Sequence, residues 1–176
     1  LNAIINKKFD IPRLETVRDI FVFCALSGLA FTDAQHLTSE HITQDSNGDY
    51  WIRKPREKTN NMCNIPLLDI PRMIAEKYKN HPECIKKSVV LPVPSNQRMN
   101  SYLKEIADVC GIKKTLSTHI ARHTFACIAI ANKVSMESIA KMLGHSDLRT
   151  TKIYAKLMDK TVSEEMNVLK RKFSAV

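Results

Sequence analysis

The 176-residue sequence lacks the marks of several large protein classes. Its longest apolar runs, such as residues 20–26, are far too short to cross a bilayer, and no charged-then-apolar leader opens the chain. It contains no repeat, no low-complexity segment and no long Gly/Ser linker. We therefore expect a single domain over residues 1–176 and, because the first residue is Leu1 rather than Met, a part of a longer chain.

Cysteine pairs are also missing. The five cysteines are odd in number and widely spaced, and no two form a C-x-x-C pair. This pattern predicts neither a zinc framework nor a disulfide scaffold, and it favours a reducing, cytoplasmic compartment. Cys24 and Cys127 lie inside apolar stretches, which predicts that they are small core residues.

Positive charge is present in excess and is unevenly distributed. The formal net charge is +9, yet residues 1–50 carry a balance of −3 and residues 51–176 a balance of +12. A basic lobe of this size predicts an anionic partner, with nucleic acid ahead of a membrane surface. A solvated surface that only confers solubility is the alternative that charge alone leaves open.

Hydrophobic periodicity predicts a mainly α domain with a small antiparallel β-sheet (α+β). Asn47-Gly48 between two extended runs indicates a hairpin, Pro12 suits a helix start, and Thr118 is a candidate N-cap. The expected strands are 42–45, 49–53 and 62–66, and the expected helices are about 13–28, 32–37, 68–79, 99–110, 119–131, 136–143 and 161–173, with one more opening at residue 146 or 147.

The segment 118–125 places polar groups on an otherwise apolar helix. His119 and Arg122 are three residues apart, so they share one face. An unpaired buried arginine is costly, and its planar fork suits two phosphate oxygens, so Arg122 is expected to meet an anion. The alternative is a purely structural role, in which Arg122 forms a salt bridge in the core and the histidine is hydrogen-bonded within the protein.

A metal site is a further alternative for this helix. His119 and His123 are four residues apart, the spacing of a helical zinc pair. No Asp or Glu lies between them and no third ligand is obvious, so we expect no metal here and a packing or capping role for His123.

Two more motifs follow. Leu143-Gly144-His145-Ser146 combines a helix stop with a histidine at a turn, and Tyr154 lies nine residues beyond that histidine, after Thr150-Thr151. Taken alone, residues 136–156 are compatible with an ordinary helix corner or a helix–turn–helix DNA reader, and a tyrosine at helical spacing is usually buried.

Together, His-x-x-Arg, then Leu-Gly-His, then Thr-Thr-x-x-Tyr resemble the tyrosine recombinase (phage integrase) family, most of all the integrases of bacterial mobile elements. The resemblance covers essentially the whole chain as that family's catalytic domain, without the family's upstream DNA-binding domains. It implies the fold of the DNA breaking-rejoining enzymes and a site-specific recombinase or integrase activity.

The resemblance also implies residue roles. Tyr154 would be the nucleophile that forms a 3′-phosphotyrosyl link to DNA, with Arg122 and His145 stabilising the phosphoryl oxygens and His119 accepting or shuttling the tyrosine proton. Lys58, between the expected strands 49–53 and 62–66, matches the family's hairpin lysine, the general acid for the leaving 5′-oxygen. This chemistry needs no cofactor and no metal, in keeping with a sequence that has no P-loop and no carboxylate cluster.

The sequence departs from the family at one position. Ala30 stands where the family carries its first catalytic arginine after Gly-Leu, while Asp33 matches the acidic position. Arg56 is the favoured substitute, because on a strand it would share a face with Lys58. Arg18, twelve residues before Ala30, is more suited to a DNA-backbone contact or a carboxylate pair. An inactive DNA-binding domain and a type IB topoisomerase-like nicking–closing enzyme are the alternatives.

The expected partners are double-stranded DNA and, by the resemblance, other protomers in a tetrameric synapse, with residues 161–176 as the candidate contact. Packing of that tail on its own domain is equally compatible with its apolar stripe. Lys141, Arg149 and Lys152 are candidate phosphate contacts. The protein is expected in the bacterial cytoplasm, associated with the nucleoid when it is bound to DNA.

Overall fold

The computed structural model describes residues 1–147, Arg149, Thr151 and Met166. The α-helices are α1 Asn2–Ile5, α2 Pro12–Ser27, α3 Phe31–Gln35, α4 Asp69–Lys77, α5 Pro82–Lys87, α6 Asn96–Val109, α7 Thr118–Ala131 and α8 Met136–Leu143. The strands are β1 Ile42–Gln44, β2 Tyr50–Pro55 and β3 Met62–Pro66, preceded by a short 3-10 helix, Ser39–His41. The predicted fold class, mainly α with one small antiparallel sheet, is confirmed.

Helix α2 is the central element of the domain. It begins at Pro12, where a missing N–H costs nothing, and it ends at Gly28, whose φ of +74° gives a left-handed cap. The prediction of an amphipathic helix here is wrong for its second half, because residues 19–25 are all buried. Helices α4, α6 and α7 surround α2, so even positions predicted to face solvent lie in the core.

The sheet has the order β1-β2-β3, and both pairings are antiparallel. Ile52 lies opposite Ile42 on one side and Ile65 on the other, so these residues share one face. Ile52 and Ile65 are fully buried with Cys63, which fixes the inner face of the sheet against the helical core. The turn at Asn47-Gly48 confirms the predicted hairpin between β1 and β2.

Three local predictions need correction. Ser117, not Thr118, caps α7 by accepting a hydrogen bond from the Ile120 N–H at 3.4 Å. The helix predicted over 68–79 ends at Lys77, and α5 begins at Pro82, where the sequence suggested only a stop. A proline at the first helical position starts helices as well as ending them, which is why the signal was ambiguous. The predicted helix over 161–173 lies outside the described residues apart from Met166.

Two apolar clusters make up the core. The larger one gathers α2, the sheet, α4, α6 and the start of α7, and the smaller one joins the second half of α7 to α8. Cys24 lies in the larger cluster as predicted, and Cys127 packs only partly buried against the smaller one. The C-terminal ends of α2 and α8 and the turn between β2 and β3 meet where these clusters adjoin. Within the described ranges, no helix is long and apolar enough to span a bilayer.

Candidate active site

Arg122 is the centre of the candidate site. It is only 7% exposed although it carries a permanent charge. Its Nη1 donates to the Gly28 carbonyl at 2.8 Å and its Nη2 to the Leu143 carbonyl at 2.5 Å. One guanidinium therefore joins the C-terminal ends of α2 and α8, where backbone carbonyls lack helical partners and carry partial negative charge.

His145 lies directly beside this guanidinium. Gly144, with φ +60°, ends α8 in the left-handed conformation and turns the chain so that His145 faces Arg122. The Nε2 atom lies 3.2 Å from Arg122 Nη2, and Nδ1 lies 2.9 Å from the Thr151 hydroxyl. Burial, followed by the charges of Arg122 and Arg56, lowers the pKa of His145 to about 4. The ring is therefore neutral at physiological pH.

Arg56 reaches the same site from the hairpin between β2 and β3. Its Nε lies 3.6 Å from Oδ2 of Asp33, which is 1% exposed, and neither atom has a hydrogen-bond partner among the described residues. The other Asp33 oxygen accepts the Glu57 N–H at 2.9 Å and so holds the turn. A Cβ at Gly144 would lie 2.8 Å from Arg56 Cδ, so this glycine leaves the room that the arginine fills.

Arg56 and Lys58 do not share a strand face, so the prediction that they lie on one strand is wrong. Strand β2 ends at Pro55, and residues 56–61 form a turn that is closed by the Arg56 N–H to the Asn61 carbonyl at 2.9 Å. Arg56 points inward, whereas Lys58 is exposed and makes no hydrogen bond or ion pair with the described residues. The structure brings Arg56, but not Lys58, to Arg122 and His145.

Lys54 is a buried basic residue that sequence reasoning missed. Its side chain is 5% exposed, and Nζ lies 2.7 Å from Oε1 of Glu57. The hydrogen bond from Lys54 also lowers the pKa of Glu57. The alternation of the strand could have predicted this burial, because Ile52 and Lys54 are two residues apart and share the inner face. The Lys54–Glu57 pair ties the end of β2 to the turn that carries Arg56.

His119 and His123 form a contact of their own. Their Nε2 atoms are 2.6 Å apart, and their rings meet edge to face at 81°. His119 is exposed in the first turn of α7, and His123 is half-buried. Burial, then the neighbouring His119 and Arg122, lowers the pKa of His123. Of the two roles predicted for His123, packing and capping, the structure shows packing, against His119.

Ala30 and Arg18 are both accounted for. Ala30 is the N-cap of α3 and places Asp33 in the first turn of that helix. Arg18 donates to Asp19 Oδ1 at 2.5 Å and to the carbonyls of Ile5 and Lys7. Of the two roles open to Arg18, the structure shows the carboxylate pair. The Arg18 guanidinium is therefore occupied by Asp19 and these two carbonyls.

Two further predicted residues, Lys141 and Arg149, lie at the surface. Lys141 is exposed on α8, and Arg149 is exposed and pairs with Asp147 at 2.5 Å. Tyr154 and Lys152 lie outside the described residues. In the described part of the chain, no three His, Cys, Asp or Glu side chains gather as metal ligands. Burial raises the pKa of the Cys63 thiol to about 11, so this cysteine beside Arg56 stays protonated at neutral pH.

The phage integrase family model matches residues 2–161, which include the whole site described above. The chain belongs to the phage integrase family. Its relatives include a tyrosine recombinase of Pseudothermotoga lettingae, 38% identical over 114 residues that cover 58% of this chain and 38% of the relative. The tyrosine recombinase XerD of Staphylococcus aureus is 33% identical over 73 residues, which cover 42% of this chain and 25% of that protein.

Solved structures show the same integrase fold. The XerH site-specific recombinase, bound to a palindromic difH substrate after cleavage, superposes with a TM-score of 0.71 at 15% identity, over 96% of this chain and 50% of that one. The Tn1549 transposon integrase with circular intermediate DNA gives 0.60 at 14% identity, over 87% of this chain and 57% of that one. This phage integrase chain thus spans about half the length or less of the relatives it matches.

Proposed function

We propose that this chain is the catalytic domain of a site-specific DNA recombinase that cuts and rejoins DNA through Tyr154. The observation that carries the proposal is the convergence of Arg122, Arg56 and neutral His145 from three separate parts of the sequence. Two guanidiniums beside a polar ring, in a largely buried place, suit the charge that develops on a phosphoryl group in the transition state. The recombinases and integrases among the relatives support the same activity.

The reaction is a transesterification. The Tyr154 oxygen attacks the scissile phosphorus, a 3′-phosphotyrosyl bond forms and the bond to the 5′-oxygen breaks. A phenol with a pKa of about 10 is weakly nucleophilic at neutral pH, so its proton must move to a base as it attacks. His119 is the proposed acceptor, with His123 hydrogen-bonded behind it. Lys58 is the proposed donor to the leaving oxygen, from its exposed place on the hairpin turn.

Arg56 is the proposed replacement for the arginine that is missing at Ala30. It is the arginine that lies with Arg122 near His145, as their joint lowering of the His145 pKa indicates. Asp33 orients it from the family's acidic position. An arginine supplied by the hairpin therefore argues for an active enzyme, whereas Ala30 alone suggested an inactive DNA-binding domain.

Double-stranded DNA is the proposed substrate. The outer face of the hairpin and α8 form a groove with basic side chains next to the site, lined by Trp51, Arg53, Asn64, Pro66, Ser138, Lys141 and Met142. The Arg53 guanidinium lies 5.8 Å from the centre of the Trp51 ring, which fixes its position on the sheet. Lys141 and Arg53 are proposed to neutralise backbone phosphates there. We also propose that the recombinase acts with further protomers on DNA.

The test uses the full-length protein that carries this chain and a suicide DNA substrate, nicked so that the cleaved 5′ end diffuses away. A protein–DNA adduct should survive a denaturing gel and EDTA, and Tyr154→Phe should abolish it. Clear binding to a site known to be recombined, without any adduct, would show an inactive DNA-binding domain instead. Relaxation of supercoiled DNA without strand exchange between two duplexes would show a nicking–closing enzyme.

Arg56 is tested on the same substrate. Arg56→Ala should slow single-turnover cleavage by about 10²–10³-fold, the usual effect of removing one transition-state donor, while DNA binding persists. Arg72→Ala is the matched control, because it removes an exposed arginine whose partners are Asp69 and, at 5.6 Å, the Tyr50 ring. If Arg56→Ala cleaves at the rate of the control, Arg56 is not the substitute.

A further inference from the structure

Thr151 completes a chain of contacts behind the phosphate-binding groups. Arg122 Nη2 lies 3.2 Å from His145 Nε2, and His145 Nδ1 lies 2.9 Å from Thr151 Oγ1. Thr151 is fully buried, at 0% exposure, although it is only three residues before Tyr154 in the sequence. Its hydroxyl is therefore held against the ring from the side opposite Arg122.

These contacts define the tautomer of His145. A guanidinium offers only donors, so Nε2 must accept from Arg122 and carries no proton. The single proton of the neutral ring then sits on Nδ1 and is donated to Thr151 Oγ1. The lowered pKa of His145, caused by burial and two nearby guanidiniums, agrees with a ring that holds one proton only.

The same tautomer does not suit a bound phosphate. Phosphate oxygens are acceptors, and in this arrangement His145 presents a lone pair at Nε2. To donate to a phosphoryl oxygen, the ring must carry its proton on Nε2, and Nδ1 then needs a donor in place of an acceptor. A hydroxyl is the side-chain group that can fill both roles without moving, because it rotates to suit.

We propose that Thr151 is a positioning residue that supports both tautomers of His145. Its oxygen accepts from Nδ1–H in the DNA-free site, and its O–H donates to Nδ1 when Nε2–H turns to a phosphoryl oxygen. In the exchange the ring loses the Nδ1 proton to solvent and gains one on Nε2 from solvent, so its charge is unchanged. This inference rests on the proposed recombinase function for its DNA-bound half and on the described contacts for the other.

Two substitutions separate the hydroxyl from the shape of the side chain. Thr151→Val keeps the shape and removes the hydroxyl, and it should slow single-turnover cleavage by about 10–100-fold, by analogy with the loss of the partner that orients a metal-binding histidine. DNA affinity should not change. Thr151→Ser keeps the hydroxyl and should restore most of the rate. Parent-rate cleavage by Thr151→Val, or equal loss in both variants, would overturn the proposal.

A spectroscopic test needs no variant of Thr151 and no DNA. ¹⁵N NMR of the histidine rings, with the His145 signal identified by its absence in His145→Gln, should show the proton on Nδ1 in the free protein. A proton on Nε2 would refute the inference even if Thr151→Val fails to fold. The adduct of the parent protein is measured separately. A missing adduct would contradict the proposed function, whereas a proton on the wrong nitrogen of His145 would contradict only the role of Thr151.

Discussion

A methyl group added at Gly28 should destabilise the protein far more than one added at Gly111. Both glycines have positive φ, +74° and +64°, so either alanine meets the left-handed strain of about 1–2 kcal/mol. At Gly28 the new Cβ would also lie 2.5 Å from Phe125 Cδ1 and 3.0 Å from Leu143 Cδ2, inside the packed contact with α7 and α8. At Gly111 no heavy atom lies within 4 Å among the described residues.

Overpacking of a filled core costs about 1–3 kcal/mol, so Gly28→Ala should lose about 2–5 kcal/mol in total and Gly111→Ala only the strain. Equilibrium urea unfolding of the two variants and the parent, followed by circular dichroism without DNA, measures the difference. Equal losses in both variants would refute the reasoning. Such a result would mean that the junction of α2 with α7 yields to the new methyl group at little cost.

Three further outcomes follow from the site. Gly144→Ala should slow cleavage of the suicide substrate by up to about 10²–10³-fold, as Arg56→Ala does, while DNA binding remains, because its Cβ would lie 2.8 Å from Arg56 Cδ and displace that side chain. Parent-like cleavage would contradict this. Arg122→Lys should lose about 1–3 kcal/mol in urea unfolding, since a compact ammonium replaces a planar fork whose two nitrogens each bond a carbonyl on a different helix. The pKa of His145 is about 4 in the folded chain, below the ordinary 6.5. As pH drops between these values, the unfolded chain takes up the proton before the folded chain does. The free energy of unfolding should therefore fall over this range. His145→Gln should flatten that part of the pH profile, and an unchanged profile would argue against it.

Local patterns predicted most of the fold. Pro12, Asn47-Gly48 and Gly144 each act at short range, so the elements that they start, turn or end appear where the sequence placed them. Burial on all sides of the second half of α2 was not visible in the sequence, because it depends on which helices surround it. The second helix after His81 was missed because one proline signal fits either a stop or a start.

Several residues of the site were predictable from the sequence, but the contacts that join them were not. Arg122 and His145 were picked out by motif spacing, and they do meet. Arg56 was selected for a strand that ends one residue earlier, and it reaches the site because Asp33, 23 residues away in sequence, lies opposite the turn. Contacts to carbonyls, such as those from Arg122 to Gly28 and Leu143, leave no trace in side-chain chemistry and were not foreseen.

The carbonyl contacts of Arg122 have a thermodynamic consequence. The Arg122 guanidinium loses most of its water when the chain folds, and backbone carbonyls then bond it. Much of the free-energy cost of dehydrating it is therefore part of folding and is not added when an anion binds. Arg122, Arg56 and Asp33 together carry a net charge of +1. An anion that binds this site more tightly than it binds the unfolded chain raises the free energy of unfolding by mass action. If DNA is the substrate, as proposed, its backbone would also stabilise the folded domain.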